Sequence, residues 1–321
     1  MEARLLPINA LLGLLTAGDI TPPVLAQAGF RPAGLEIPAS GDAGNAVIDA
    51  LLFHEASNHL VQCEAKSGAN IEVRQAFAYA AMGPESLVQA AGVTLTHRTP
   101  PTLETLYICL SKHASRISLS LESAGVSAPL LAVAHRRVDL HNREHASGLL
   151  TRALGEGVDL AGPPPSIIPF DPDSPVEVAE EYVLAALVAM LTHRAPAVTM
   201  TSLTERVAPY YSIYGQKAQT GLRRLVTQAA RSVADREPAW FAFERRTATR
   251  SEDRIQFRKT PEDLHHRGRT TSYQSIGKVT KGIKRPGRAE IDGQLDLLQE
   301  LEVADTGLEE SQEEDEQGGG S

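Results

Sequence analysis

The chain has 321 residues and a mass of 34.5 kDa, room for two average domains and a tail. Its 42% hydrophobic fraction supplies a real core, its 22% charged fraction is ordinary for a soluble protein, and no apolar run reaches membrane-spanning length. With two cysteines, Cys63 and Cys109, a disulfide framework and a cysteine zinc site are excluded, so a cytoplasmic location away from membranes is expected.

The net charge of −9 is unevenly spread. Residues 290–321 carry twelve acidic side chains and no Lys or Arg, while 201–260 carry twelve basic against six acidic. A concentrated basic block is the footprint of a nucleic-acid-binding surface.

In chain order, the N-terminal "LLPINALLGLLTAG" is Leu-rich, but Pro7, Asn9 and Gly13 interrupt it, and a signal peptide's basic start and cleavage site are missing. Strand-like segments follow at "GLEIP", "NAVIDALLFHEA", "HLVQCEAKS", "LETLYICLS" and "PLLAVAHRRVDL". Helical patterns at "NIEVRQAFAYAAMGPESLVQAAG" and "KHASRISLSLESAG" alternate with them, which predicts an α/β domain over 1–165. Prolines as dense as those of "AGPPPSIIPFDPDSP" do not fit a helix or central strand, so 166–175 reads as a linker. Beyond it, "VEVAEEYVLAALVAMLTHR", "SLTERVAPYYSIYG" and "QKAQTGLRRLVTQAARSVADR" read as helices, then "WFAFERR" and "DRIQFRK" as a hairpin. That order is the order of a winged helix, expected over 176–260, with Tyr210, Tyr211 and Tyr214 as packing residues. From 261 to 321 the chain turns polar and basic, then acidic, and a disordered tail is expected.

The strands "NAVIDALLFHEA" and "HLVQCEAKS" carry the chemistry. Ser57-Asn58 between them suits a two-residue turn, which pairs Ala56 with His59 and Asp49 with Lys66, leaving Glu64 on the diagonal. Alternation then puts Asp49, Glu64 and Lys66 on one face, and Ile48, Ala50, Leu52, Val61, Cys63 and Ala65 on the other. Two carboxylates beside an ammonium suit phosphodiester hydrolysis. Hard oxygen ligands hold Mg²⁺, the cation stabilises phosphoryl charge, and the ammonium orients water. His54, His59, His135, His141 and His145 show no metal-site spacing and are expected at the surface or in packing.

Asp49, then Glu64-Ala65-Lys66 on the next strand, resembles the PD-(D/E)XK nuclease superfamily. The resemblance covers roughly residues 30–140 and implies a restriction-endonuclease-like fold, a mixed central sheet flanked by helices. It implies Asp49 and Glu64 as metal-binding acids, the Ala65 carbonyl as a further ligand, Lys66 as the catalytic lysine, and Mg²⁺ or Mn²⁺ as cofactor. Gln75 and Tyr79, one helical turn apart, match the Q-x-x-x-Y signature of nucleases related to the RecB nuclease. Ile48 stands where many members have proline before the acid, and Glu36 is the one candidate for the family's upstream acid.

In the winged-helix segment, Lys217, Arg224 and Arg231 recur every seven residues with Arg223 nearby, and Arg245, Arg246 and Arg250 would lie in the wing. These are the expected DNA contacts. In the acidic tail, "GQLDLLQ" is similar to the Q-L-x-L-[F/L] peptide of proteins that dock on the bacterial β sliding clamp, through Gln294, Leu295, Leu297 and Leu298 (segment 294–298). The expectation is a Mg²⁺-dependent DNA nuclease in repair, replication or anti-phage defence, with a homodimer left open. The alternatives are a DNA-binding regulator on an inactive nuclease scaffold, or a defence effector that a partner activates.

Overall fold

Two sheets organise residues 3–41, 44–192, 195–248 and 251–258, which are those described by the computed structural model. The Leu-rich start forms α1 (Leu6–Gly13), with Pro7 in the first turn, where its missing N–H leaves no bond unmade. Every residue of α1 after Leu6 is buried, which is why all its faces are apolar apart from Asn9. A short α2 (Val24–Gln27) leads into β1 (Phe30–Gly41), β2 (Gly44–His54) and β3 (His59–Lys66). Then come α3 (Val73–Ala80), α4 (Pro84–Ala91), β4 (Thr102–Leu110), α5 (Ala114–Ser123), β5 (Leu130–Val133), β6 (Arg137–His141), α6 (Gly148–Leu154) and β7 (Val158–Asp159).

The seven strands lie side by side in chain order. The pairs at the two ends are antiparallel, whereas β3, β4 and β5 run parallel, giving a mixed sheet. Helices α3, α4 and α5 cover one face around Leu51, Phe53, Leu60, Tyr107 and Ile117. The other face packs Val61, Cys63 and Ile108 against α1, α6 and the C-terminal helices in one continuous core. The chain is therefore α/β with helices on both faces of a mixed sheet, as the alternation of segments led one to expect.

Three local expectations change. The helix expected over 70–92 is two helices, because Pro84 starts a new one and Gly83 precedes it in extended conformation. The strand expected over 129–140 is β5 and β6, folded back through a turn closed by the Ala134 N–H on the Arg137 carbonyl. The hairpin turn is longer than two residues: a 3₁₀ turn (Glu55–Ser57) ends at Asn58 in left-handed conformation. The Asn58 amide donates to the His97 and Thr99 carbonyls, so a distant loop holds this turn.

Downstream lie α7 (Val176–Thr192), β8 (Ala197–Thr199), α8 (Met200–Val207), α9 (Gln216–Arg236), β9 (Phe241–Glu244) and β10 (Arg254–Phe257). The last three strands form a sheet of order β8-β10-β9. Pro209 explains why α8 stops at Val207, short of the helix expected to reach Gly215. Along α9, Ala218, Leu222, Leu225, Val226, Ala229 and Val233 make one buried stripe.

Two seams join these C-terminal elements to the seven-stranded sheet. The Gly215 N–H donates to the Leu35 carbonyl at 2.8 Å and Tyr214 bridges Leu35, so the chain docks on the edge strand β1. A Cβ at Gly215 would collide with the Glu36 carbonyl oxygen and meet Pro38 at 2.8 Å, so only glycine allows this approach. The Pro-rich stretch is pinned rather than loose. Asn9, fully buried, exchanges two hydrogen bonds with the Ile168 backbone at 3.0 and 2.6 Å, and Arg4 pairs with Asp171 at 2.6 Å. Among the described residues no helix is long and apolar enough to cross a membrane. Arg250, the tail and its Gln294, Leu295, Leu297 and Leu298 lie outside the described residues.

Candidate active site

The site sits where β2 and β3 separate. Their ladder pairs His54 with His59 and Ala50 with Cys63, one pair out from the expected Ala56–His59 register. Continued by one step, it sets Asp49 opposite Glu64, not Lys66. The longer turn causes this correction, and because the change is even in residue number it leaves Glu64 and Lys66 on the expected side.

Backbone pairing between β2 and β3 ends at Ala50, and the Asp49 carboxylate takes over. It accepts the Ala65 N–H at 2.7 Å, where the next ladder bond would lie. On β1, Glu36 has a left-handed backbone, with φ of 46°, and is left unpaired between Leu35↔Ala50 and Ile37↔Ile48, while the register is the same on either side of it. Alternation inverts there. Leu35 and Ala50 face one core while Ile37 and Ile48 face the other, so Ile48 leaves the side on which simple alternation put it. A non-glycine residue held this way stores strain, as functional sites often do.

Glu64, 4% exposed, is the hub. One carboxylate oxygen meets the Lys66 ammonium at 2.6 Å, and the other accepts the Tyr79 hydroxyl. Gln75 closes the circuit: its carbonyl oxygen accepts from Lys66 at 3.0 Å, and its amide donates to the Tyr79 oxygen at 3.0 Å. The Tyr79 hydroxyl also lies 2.6 Å from the Val47 carbonyl. Helix α3 thus presents Gln75 and Tyr79 from one face, as their spacing requires, and Gln62 ties the helix end to the sheet through the Tyr79 carbonyl at 2.8 Å.

Burial, then the charge of Glu64, pushes the Asp49 carboxyl well above the usual carboxylate range. Burial and Glu64 push the Tyr79 hydroxyl up, so it stays a neutral donor. Two carboxylates this close, Glu64 buried and Asp49 half-buried, repel each other, and a cation between them would let both ionise. Among the described residues no three His, Cys, Asp or Glu side chains gather as a metal site. Two carboxylates and the Ala65 carbonyl would make a short, all-oxygen donor set. That set fits a hard cation such as Mg²⁺, which retains most of its waters and takes only one or two protein carboxylates.

Asp49 and Ala65 also open onto a cavity of about 310 Å³, whose wall includes Arg4, Glu36, Asp171, Asp173 and Tyr214. Burial, then Asp171 and Asp173, raises the Glu36 carboxyl to about 7. No sequence spacing singled out Arg4, Asp171 or Tyr214. They come from segments far apart in the chain, and only the docking of those segments brings them together.

The basic residues divide. Lys217, Arg224, Arg245 and Arg246 are exposed, and Lys217 is close enough to influence Glu36. Arg223 pairs with Glu252 at 2.7 Å and Arg231 stacks over the Phe243 ring at 4.9 Å. The expected packing histidines include His59, held between Thr102 at 2.7 Å and Glu104 at 2.6 Å. No family model, no curated protein and no solved structure matches the chain.

Proposed function

We propose that the chain is a metal-dependent DNA nuclease of the PD-(D/E)XK type, with Mg²⁺ or Mn²⁺ as cofactor. One observation carries this reading: Asp49 and Glu64 stand together where two strands part, with Lys66, Gln75 and Tyr79 bonded around Glu64. An ordinary solvated strand face has no reason to bury one carboxylate beside a half-buried second and surround the buried one with a tyrosine, a glutamine and a lysine.

Asp49 and Glu64, with the Ala65 carbonyl, would hold the cation. When bound, it supplies charge stabilisation at the phosphoryl oxygens and a more acidic water. Tyr79 fixes which way the Glu64 carboxylate points, and Gln75 fixes both Tyr79 and the Lys66 ammonium. Lys66 then meets the attacking water or the charge that builds on the phosphate, with its position set by Glu64 and Gln75. Burial of Glu64 at 4% exposure keeps bulk water from screening these charges.

The downstream order of helix, short strand, two helices and hairpin, with sheet order β8-β10-β9, supports the winged-helix reading. In it α9 is the recognition helix, and Lys217, Arg224, Arg245 and Arg246 are the side chains free to reach phosphates. Arg223 and Arg231 are better seen as bracing the hairpin, through Glu252 and Phe243. Docking of 294–298 on a sliding clamp stays part of the proposal on its sequence alone.

The test is cleavage of a panel of duplex, single-stranded, nicked and flapped DNAs with Mg²⁺ or Mn²⁺. Wild-type protein should cut at least one of them, while Lys66→Ala and Asp49→Asn lose the activity. Equal cutting by the variants removes the catalytic assignment.

A further inference from the structure

We propose that Tyr214, carried by the segment before α9, binds the substrate strand inside the cavity beside Asp49, donating a hydrogen bond to a phosphate or sugar oxygen of one unpaired nucleotide. This rests on the nuclease reading for the identity of the ligand, and on separate observations for the residue.

The first observation is placement. Tyr214 lines the same cavity as Asp49 and Ala65, although 149 residues separate Ala65 from it in sequence. The backbone holds it there through the Leu35–Tyr214 bridge and the Gly215–Leu35 hydrogen bond at 2.8 Å. The second is an unused donor. Tyr214 is 6% exposed, and its hydroxyl makes no hydrogen bond among the described residues. Glu36 and Asp171 act on it electrostatically but do not accept its proton. The hydroxyl is not among the fully enclosed polar atoms that lack a partner, so it keeps access to solvent where Tyr214 lines the cavity, and a ligand oxygen can replace water as its acceptor. The third is size. About 310 Å³ lies at the lower end of small-ligand pockets and admits one nucleotide, whereas a duplex does not enter. Arg4, 38% exposed at its side chain and paired with Asp171, offers a cation on the same wall.

Charge on that wall also constrains the ligand. Glu36, Asp49, Asp171 and Asp173 would repel a bare phosphate, so strand binding requires a divalent cation at the neighbouring carboxylates. Binding should therefore be metal-dependent.

The experiment measures binding of a fluorescent single-stranded oligonucleotide by anisotropy, with Ca²⁺ as the cation, for wild type and Tyr214→Phe, alongside thermal denaturation of both. Tyr214→Phe removes one oxygen and no hydrogen bond within the protein. Its Tm should match or exceed wild type while Kd for the oligonucleotide rises about tenfold. Blunt duplex should bind through the basic surface with an unchanged Kd. A Kd within twofold of wild type overturns the proposal, as does absence of oligonucleotide binding by wild type. A lowered Tm shows the hydroxyl to be structural and overturns it too. The nuclease reading is judged separately, by whether Asp49→Asn stops cleavage, so the two fail independently.

Discussion

Replacing Tyr79 with Phe deletes one oxygen from the middle of the site and leaves the ring in its core. That oxygen meets the Glu64 carboxylate, the Val47 carbonyl at 2.6 Å and the Gln75 amide at 3.0 Å, and Tyr79 is 2% exposed. A hydrogen bond to a charged acceptor contributes about 1.5–3 kcal/mol, and a buried group left without its partner costs about 1–3 kcal/mol. Lys66 still holds the other Glu64 oxygen at 2.6 Å, which limits the loss. We expect about 3 kcal/mol of destabilisation, a fall in Tm on the order of 4–6 °C for a chain of this size. The assay is urea and thermal denaturation followed by circular dichroism in EDTA, so that stability is read without metal. A double-mutant cycle with Gln75→Ala should show coupling above about 0.5 kcal/mol, because the two side chains share a bond. Loss below about 0.5 kcal/mol, or simple additivity, would refute the view of Glu64, Tyr79, Gln75 and Lys66 as one network.

Two further outcomes test the surroundings. Glu36 is raised to about 7 by burial and by Asp171 and Asp173, so folding takes up a proton between its ordinary value near 4.5 and about 7, and stability falls as pH rises through that window. Glu36→Gln should therefore exceed wild type by about 2 kcal/mol at pH 8, discounted for partial exposure, with the gap closing below pH 4.5; a constant or reversed gap in urea titrations contradicts this. Gly215→Ala should cost about 2 kcal/mol by forcing a methyl against the Glu36 carbonyl, while Gly148→Ala, whose added methyl meets nothing within 4 Å, should leave Tm no lower than wild type.

Much of the candidate site was legible in one dimension because its signals are local. Strand alternation placed Glu64 and Lys66 on one side of β3, and helix periodicity placed Gln75 and Tyr79 on one face of α3. These relations depend on backbone geometry within a few residues, and the tertiary fold preserved them. The bonds among those residues were not legible, because the angle at which α3 meets the sheet is set by the packing of Tyr79 and Ala76 against Leu51 and Phe53.

The same division explains what changed. A two-residue turn at Ser57-Asn58 was reasonable chemistry, but the longer turn is held by carbonyls of His97 and Thr99, about forty residues away, and no local pattern reports them. Glu64 and Lys66 kept their shared side of β3 because an even shift preserves strand parity, whereas Asp49 did not stay with them as alternation had placed it: the pattern inverts between Ala50 and Ile48, and Asp49 opens with Ala65 onto the cavity. The arrival of Tyr214 at the cavity that Asp49 lines depends on Gly215 meeting the edge strand β1 across the fold, and the inversion of alternation lies at Glu36, whose carbonyl Gly215 approaches. The sequence by itself determined the α/β alternation, the residue types at the site and the faces they share, since neighbouring dihedrals decide those. Only the tertiary structure decided which carboxylate faces which, how the cavity is walled and which distant side chains enter it, since these follow from contacts between segments that have no covalent reason to be near each other.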